Sequence, residues 1–309
     1  MNGSGLDRAQ PATAPLVKPL GVGFPYIPVL SPELYETVAL DFVEVVPETL
    51  CREWRDRRSS IAIVPSQLER AKAVCLGLPI VVHGVELSIG SAHGWNTAYL
   101  QMLDSFQKFW PFLWHSEHLG FQTFTGHDGT LLDIGVPLPL PCTCEVVRLI
   151  SDRCSKIHRR YGVPFLLENP AHYLAHLPRD PEIIDEIDLM NQISGSSTCG
   201  HLLDLHNLYC NAINHKFDAR AALSRMTLER VVEIHVAGGS WLNGFWMDAH
   251  DGRVPNQVWE LLEYALPLCP NVAGVVFEIL GSYALRLGIK AITEELAHVR
   301  QIWRLSHPE

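Results

Sequence analysis

None of the eight cysteines stands in a CxxC pair. Cys142 and Cys144, the nearest two, are separated by a single residue, a spacing that suits neither a zinc knuckle nor a disulfide. Nowhere do about 18 apolar residues run together, which excludes a transmembrane helix. The opening MNGSGLDRAQPATAPLVKPLG lacks the apolar stretch of a secretory signal. These absences predict a cytoplasmic protein with reduced, mostly buried thiols. Basic residues are scarce too: 24 Lys plus Arg face 34 Asp plus Glu, a formal charge of −10. Such a chain is a poor non-specific partner for nucleic acid or an anionic membrane. Charged residues make up 19% and hydrophobic residues 47%, which excludes a coiled coil, a collagen-like fibre and a mostly disordered chain. Residues 1–18, rich in Pro, Ala and Gly, predict a flexible tail, and residues 19–309 a single domain with no linker-like break.

What is present is a regular alternation. Eight short apolar runs are LGVGF (Leu20–Phe24), DFVEVV (Asp41–Val46), PIVVH (Pro79–His83), LWHSEH (Leu113–His118), PFLLE (Pro164–Glu168), HLLDL (His201–Leu205), VVEIHV (Val231–Val236) and GVVFEI (Gly274–Ile279). Each reads as a parallel strand buried on both faces. Between them lie amphipathic stretches, among them Pro65–Leu76, Cys144–Tyr161, Ala219–Leu228, Val258–Leu266 and Ala291–Leu305. Eight β–α units predict an α/β fold, a (β/α)8 TIM barrel. A doubly wound sheet would need a Gly-rich phosphate-binding first turn, and GVGFPYIP puts proline there instead.

A barrel of this kind places its chemistry at the C-terminal ends of the strands. Those ends carry His83, Glu117 with His118, Glu168 with Asn169, Asp204 followed by Asn207, His235 and Glu278; the loop after the seventh strand adds Asp248 and His250. So many ionisable groups cannot be buried together unpaired, and few Arg or Lys lie nearby in sequence; bound cations resolve the cost. Imidazole, carboxylate and amide donors without thiolate disfavour structural zinc and iron–sulfur clusters, and suit iron, manganese or catalytic zinc. Nine donors, namely His83, His118, Glu168, Asp204, Asn207, His235, Asp248, His250 and Glu278, suit two or three ions with bridging carboxylates. His206, Asn169 and Glu117 are candidate substrate contacts. Of the other histidines, His93, His158, His176, His298 and His307 read as solvated, and His127, His172 and His215 as loop residues near the rim. His115 is in phase with Glu117 and out of phase with His118.

The segments VEVVPE, VVHGVELSIGS, SEHLGF, LLENPAHYL, LLDLHNLYCNAINH, EIHVAGG, DAHDGRVP-x-x-VW and VVFEIL occur in this order from about Pro19 to Trp303. In them the chain resembles the multinuclear non-heme iron-dependent oxidative enzymes, a family that includes the enzymes of methanobactin and thiaglutamate-peptide biosynthesis. The resemblance implies a TIM barrel of xylose-isomerase type and two or three iron ions of mixed Fe(II)/Fe(III) valence. It implies O2 as co-substrate and oxidation of a residue, most often cysteine, in a ribosomally synthesised precursor peptide. A small leader-binding partner protein is implied as well; neither nucleic acid nor membrane is expected. Carried over, the ligands form three groups: His83, His118 and Glu168; Asp204, His235 and Glu278, with Glu168 bridging; and Asn207, Asp248 and His250. Two departures stand out. His206 occupies a position where many relatives have Asn, and the loop Phe124–Pro141 is longer than usual. A sugar isomerase or endonuclease IV-like hydrolase on the same barrel, and a metal-storing scaffold, are the competing readings.

Overall fold

Strands buried on both faces must find neighbours on both edges, and here they do so by closing on themselves. The computed structural model describes residues 17–52, 61–174 and 176–308; of the tail expected at 1–18, residues 1–16 lie outside these. In chain order the strands are β1 (Gly21–Pro25), β2 (Phe42–Val45), β3 (Ile80–Gly84), β4 (His115–His118), β5 (Gly120–Thr125), β6 (Leu131–Pro139), β7 (Phe165–Glu168), β8 (Gly200–Asp204), β9 (Val231–Ala237), β10 (Ser240–Leu242), β11 (Phe245–Met247) and β12 (Gly274–Glu278). The helices are α1 (Pro32–Thr37), α2 (Pro65–Val74), α3 (Thr97–Phe109), α4 (Cys144–Tyr161), α5 (Glu186–Ser196), α6 (Leu205–His215), α7 (Ala219–Leu223), α8 (Asn256–Ala265) and α9 (Gly281–Ser306). The closed barrel runs β1-β12-β9-β8-β7-β4-β3-β2, every pair parallel. All eight expected runs are barrel strands, their ends displaced by at most two residues.

Local chemistry sets the helix limits. The Thr143 side chain accepts the Val146 N–H to start α4, and Gly162, at φ 69°, ends it in a left-handed cap. Helix α7 is shorter than the expected Ala219–Leu228: the chain turns after Leu223, and Arg225 reaches Asp185 and Asp188. Helix α9 starts earlier than expected and kinks at Gly288, where φ is 80°. The segment Phe124–Pro141, read as a loop, is mostly strand: β5 and β6 form an antiparallel hairpin. A second hairpin, β10–β11, turns at Asn243-Gly244, both with positive φ.

The barrel interior has two layers. Phe42, Val81, Trp114, Leu166, Leu202 and Val276 pack together as an apolar floor. Two residues further along the same strands stand Glu44, His83, Ser116, Glu168, Asp204 and Glu278, on the same inward face by the period of a strand. Strand β1 contributes glycine instead: a Cβ on Gly23 would lie 2.4 Å from the Phe42 ring. Among the described residues no helix is long and apolar enough to cross a membrane. Six of the cysteines are buried.

Candidate metal centre

Above the apolar floor the side chains converge in overlapping sets. The groups His83–His118–Glu168, Glu168–Asp204–His235, Glu44–His235–Glu278, Asp204–His250–Glu278 and His206–Asp248–His250 each offer ligand atoms within 4.8 Å of one another. Glu168, Asp204, His235, His250 and Glu278 each belong to two groups, so the sets form one continuous cluster.

Several of the donors have an identifiable support. Glu168 Oε2 lies 3.4 Å from His83 Nε2 and 3.3 Å from His118 Nε2, yet it has no hydrogen-bond partner. The other His83 nitrogen, Nδ1, is 3.0 Å from Ser116 Oγ, which fixes the ring and leaves Nε2 aimed at the cluster. Asp204 divides its oxygens: Oδ1 accepts the Asn207 N–H at 2.7 Å and caps α6, while Oδ2 is buried without a partner. Because that cap is the last residue of β8, α6 starts with no intervening loop. His235 Nε2 is 3.0 Å from Glu44 Oε2, and its Nδ1 is 2.9 Å from Glu278 Oε2. Neither contact is aligned as a hydrogen bond, and both ring nitrogens are orphaned. Close approach without alignment is what a shared cation would relieve.

The last group is built by a strained turn. Asp248 follows β11 directly, and His250 sits at φ 47°, a left-handed conformation that a histidine rarely adopts. The turn therefore brings the two side chains together through a left-handed residue. Asp248 Oδ1 lies 2.9 Å from His250 Nε2 and 2.9 Å from His206 Nδ1. The Trp246 indole, which is only a donor, gives its N–H to His206 Nε2 at 3.1 Å. His206 therefore carries its hydrogen on Nδ1 and donates it to Asp248, acting as an orienting group. Cys210 Sγ is 3.8 Å from His206 Nε2, and burial holds its thiol far above the usual range.

The electrostatics show how poorly this cluster balances by itself. Burial pushes Glu44 up to about 8 and Asp204 up to about 6, and raises Glu168 well above the carboxylate range. Burial lowers His83 and His118. It also acts to lower His235 and His250, but Glu278 and Glu44 overcome it at His235, and Asp248 and Glu278 at His250, which rises to about 10. Orphaned donors and opposed shifts fit a set of bound cations. Exposure grades across the set: Glu44, Asp204 and His235 are fully enclosed, whereas His118, Asp248 and His250 are partly open to solvent.

The other sequence candidates fall in several places. Asn207 Nδ2 donates to Glu168 Oε1 at 3.0 Å, and its Oδ1 is buried without a partner; His206 stands beside Asp248 and His250. Asn169 holds both main-chain groups of Asp204, each at 2.9 Å. Glu117, a candidate substrate contact, faces the other way. Strand alternation turns it outward onto His115 Nε2 at 2.9 Å and beside Tyr99, buried under the helices rather than at the rim. His298 packs on Trp259 and His307 stacks on Trp303, so neither is simply solvated. Glu44 escapes a reading of strand ends that begins at the third strand. Its signal is a lone acid inside the apolar run DFVEVV, and Glu233, whose Oε2 accepts the Trp114 N–H at 2.8 Å, repeats it in VVEIHV.

Residues 20–303 match the sequence family described as RiPP precursor modification enzyme MbnB/TglH/ChrH. The chain belongs to that family. A UPF0276 protein of Rhizorhabdus wittichii is 32% identical over 77% of this chain and 79% of its own length. One from Caulobacter vibrioides is 31% identical over 78% and 80%. Among solved structures, one described as IOLI protein with a binding zinc atom superposes with a TM-score of 0.57 at 12% identity, over 93% of this chain and 99% of that one. A xylose isomerase-like TIM barrel protein from Mycobacterium smegmatis, in complex with magnesium, superposes at 0.53 and 13% identity, over 92% and 97%. At such identities these two establish the shared barrel fold.

Proposed function

We propose that this chain is an O2-dependent multinuclear iron enzyme that oxidises a residue, with cysteine the expected target, of a ribosomally synthesised precursor peptide. The observation that carries the reading is the continuous cluster of overlapping three-donor groups in a chain of this peptide-modifying family. Iron, when bound, would supply one-electron redox chemistry and coordination positions for O2 and a substrate thiolate. His83, His118 and Glu168 would hold one ion. Asp204, His235 and Glu278, with Glu44 beneath, would hold a second. Asp248 and His250, oriented by His206, would hold a third.

The chain's own contribution is placement. The apolar floor closes the barrel below the cluster, and Ser116, Asn169 and Asn207 keep His83, Asp204 and Glu168 in fixed orientations. The peptide would enter where His118, Asp248 and His250 are open, under the hairpin that presents Trp241, Leu242 and Phe245 to solvent. A small partner that holds the leader would raise the local peptide concentration, a gain on the order of 100-fold.

The decisive experiment is anaerobic purification with metal quantification, then turnover of the precursor with and without the partner while O2 is followed. At least two irons per chain and O2-dependent modification, accelerated by the partner, are expected. Stoichiometric zinc with no iron, and turnover without O2, would instead place the chain with hydrolases or isomerases on this barrel.

A further inference from the structure

The turn that carries Asp248 and His250 has little slack. Its two ends lie against the two glycines that follow β9. A Cβ on Gly239 would stand 2.2 Å from Met247 O, and one on Gly238 would stand 2.4 Å from Arg253 O. Between these ends His250 holds φ 47°. A left-handed histidine persists only where its surroundings over-determine it, so the contacts that grip the turn decide where its donors stand.

Helix α9 supplies such contacts from both sides of its kink at Gly288. Leu280, the residue before α9, donates its N–H to His250 O at 3.0 Å. Beyond the kink, the Glu295 carboxylate takes the end of the turn with both oxygens. Its Oε2 accepts the Val254 N–H at 3.1 Å, and its Oε1 accepts from Arg253 Nη1 at 2.7 Å. Arg253 Nη2 donates to the neighbouring Glu294.

The two acids are not equivalent. Glu294 and Arg253 have side chains 47% and 49% exposed, and a surface pair of that kind contributes little. The Glu295 side chain is 6% exposed, and the Val254 N–H that it accepts is buried. Without that carboxylate the N–H loses its acceptor in a place that water does not reach. The same stretch of chain, β12 into α9, also delivers Glu278, whose Oε2 stands 3.8 Å from His250 Nε2.

We infer that Glu295 is a positioning residue of the metal centre. With Arg253 it fixes residues 248–254 so that Asp248 and His250 meet Glu278, and it thereby sets the affinity of the ion that these donors hold. The inference rests on the metal reading above, but one arm of its test needs no metal.

Residue-resolved hydrogen exchange on the full, chelator-treated chain supplies that arm. In Glu295→Ala the amides of Asp248 and Leu280, whose acceptors are the Tyr173 hydroxyl and His250 O, should exchange about tenfold faster or more, while the amides of β8 keep their rates. Glu295→Gln keeps an oxygen for the Val254 N–H and should recover most of the difference. Titration of the same proteins with Mn(II), with the free ion followed by electron paramagnetic resonance, supplies the second arm. Glu295→Ala should weaken one site about 10–100-fold and leave the others unchanged, with Glu295→Gln close to the parent. Should the alanine variant not fold, Arg253→Met removes the cation that faces Glu295 from the surface side and should speed the same two amides several-fold. Unchanged exchange at both amides would overturn the assignment, and so would a loss of Mn(II) affinity spread equally over all sites. If Mn(II) binds none of the proteins, the metal reading fails, and the exchange rates still decide for or against Glu295.

Discussion

An imidazole has two nitrogens, and at His206 both are engaged: Trp246 donates to one and Asp248 accepts from the other. The ring thus fixes the Asp248 carboxylate without ligating an ion. His206→Ala should weaken the ion at Asp248 and His250 by about 10–100-fold, the usual cost of losing such a support, and leave the ion at His83, His118 and Glu168 in place. Asp248→Ala should empty the former site outright. Anomalous scattering at the iron edge on both variants distinguishes orientation from ligation: equal, complete loss in both would make His206 a ligand. The sequence shows a histidine between Asp204 and Asn207, but its role is set by Trp246, 40 residues later, across a contact that no local pattern announces.

At the scale of elements, the turn after β2 braces the segment that leaves β3. Glu48 Oε1 accepts the N–H groups of Val85 at 2.8 Å and Glu86 at 2.9 Å, and burial pushes its carboxyl up to about 8. The unfolded group titrates near the ordinary glutamate value of 4.5, so between there and about 8 the native state binds the extra proton. Stability contributed by that proton is present at low pH and is lost as pH rises through this window, at most about 1.4 kcal/mol per pH unit. Glu48→Gln keeps an acceptor for both N–H groups and removes the titration. Thermal melts from pH 5 to 8 should therefore fall less steeply for the variant; parallel slopes would dissociate Glu48 from the effect. The eight barrel strands were legible because each is a short apolar run bounded by turn residues. The two hairpins were less so: β6 alternates weakly and reads as loop, while β10–β11 did carry a signal, Asn243-Gly244 between Trp-Leu and Phe-Trp.

For the molecule as a whole, the cluster is a set of buried charges that the fold does not neutralise. Cations bound to the native state alone should stabilise it by several kcal/mol at saturation, so stripping the metal should lower Tm by on the order of 5 °C or more. Calorimetry before and after chelation checks this; an unchanged Tm would mean that the groups balance without an ion. The strand ends made most of the donors readable from the sequence, since one rim gathers what eight strands deliver. The strand pattern alone did not pair the donors into groups; that pairing came from the resemblance, and which oxygen of Asp204 caps a helix and which nitrogen of His83 faces Ser116 is set by contacts between separate strands. The mounting of these donors has a kinetic consequence. His83, His118, Glu168, Asp204, His235 and Glu278 ride on barrel strands, whereas Asp248 and His250 ride on a turn. Barrel strands open only with the whole fold, while turns open locally at a far smaller free energy. In a chelator chase the protein should thus keep two clocks: one ion departs with each opening of the turn, and the others wait for global unfolding.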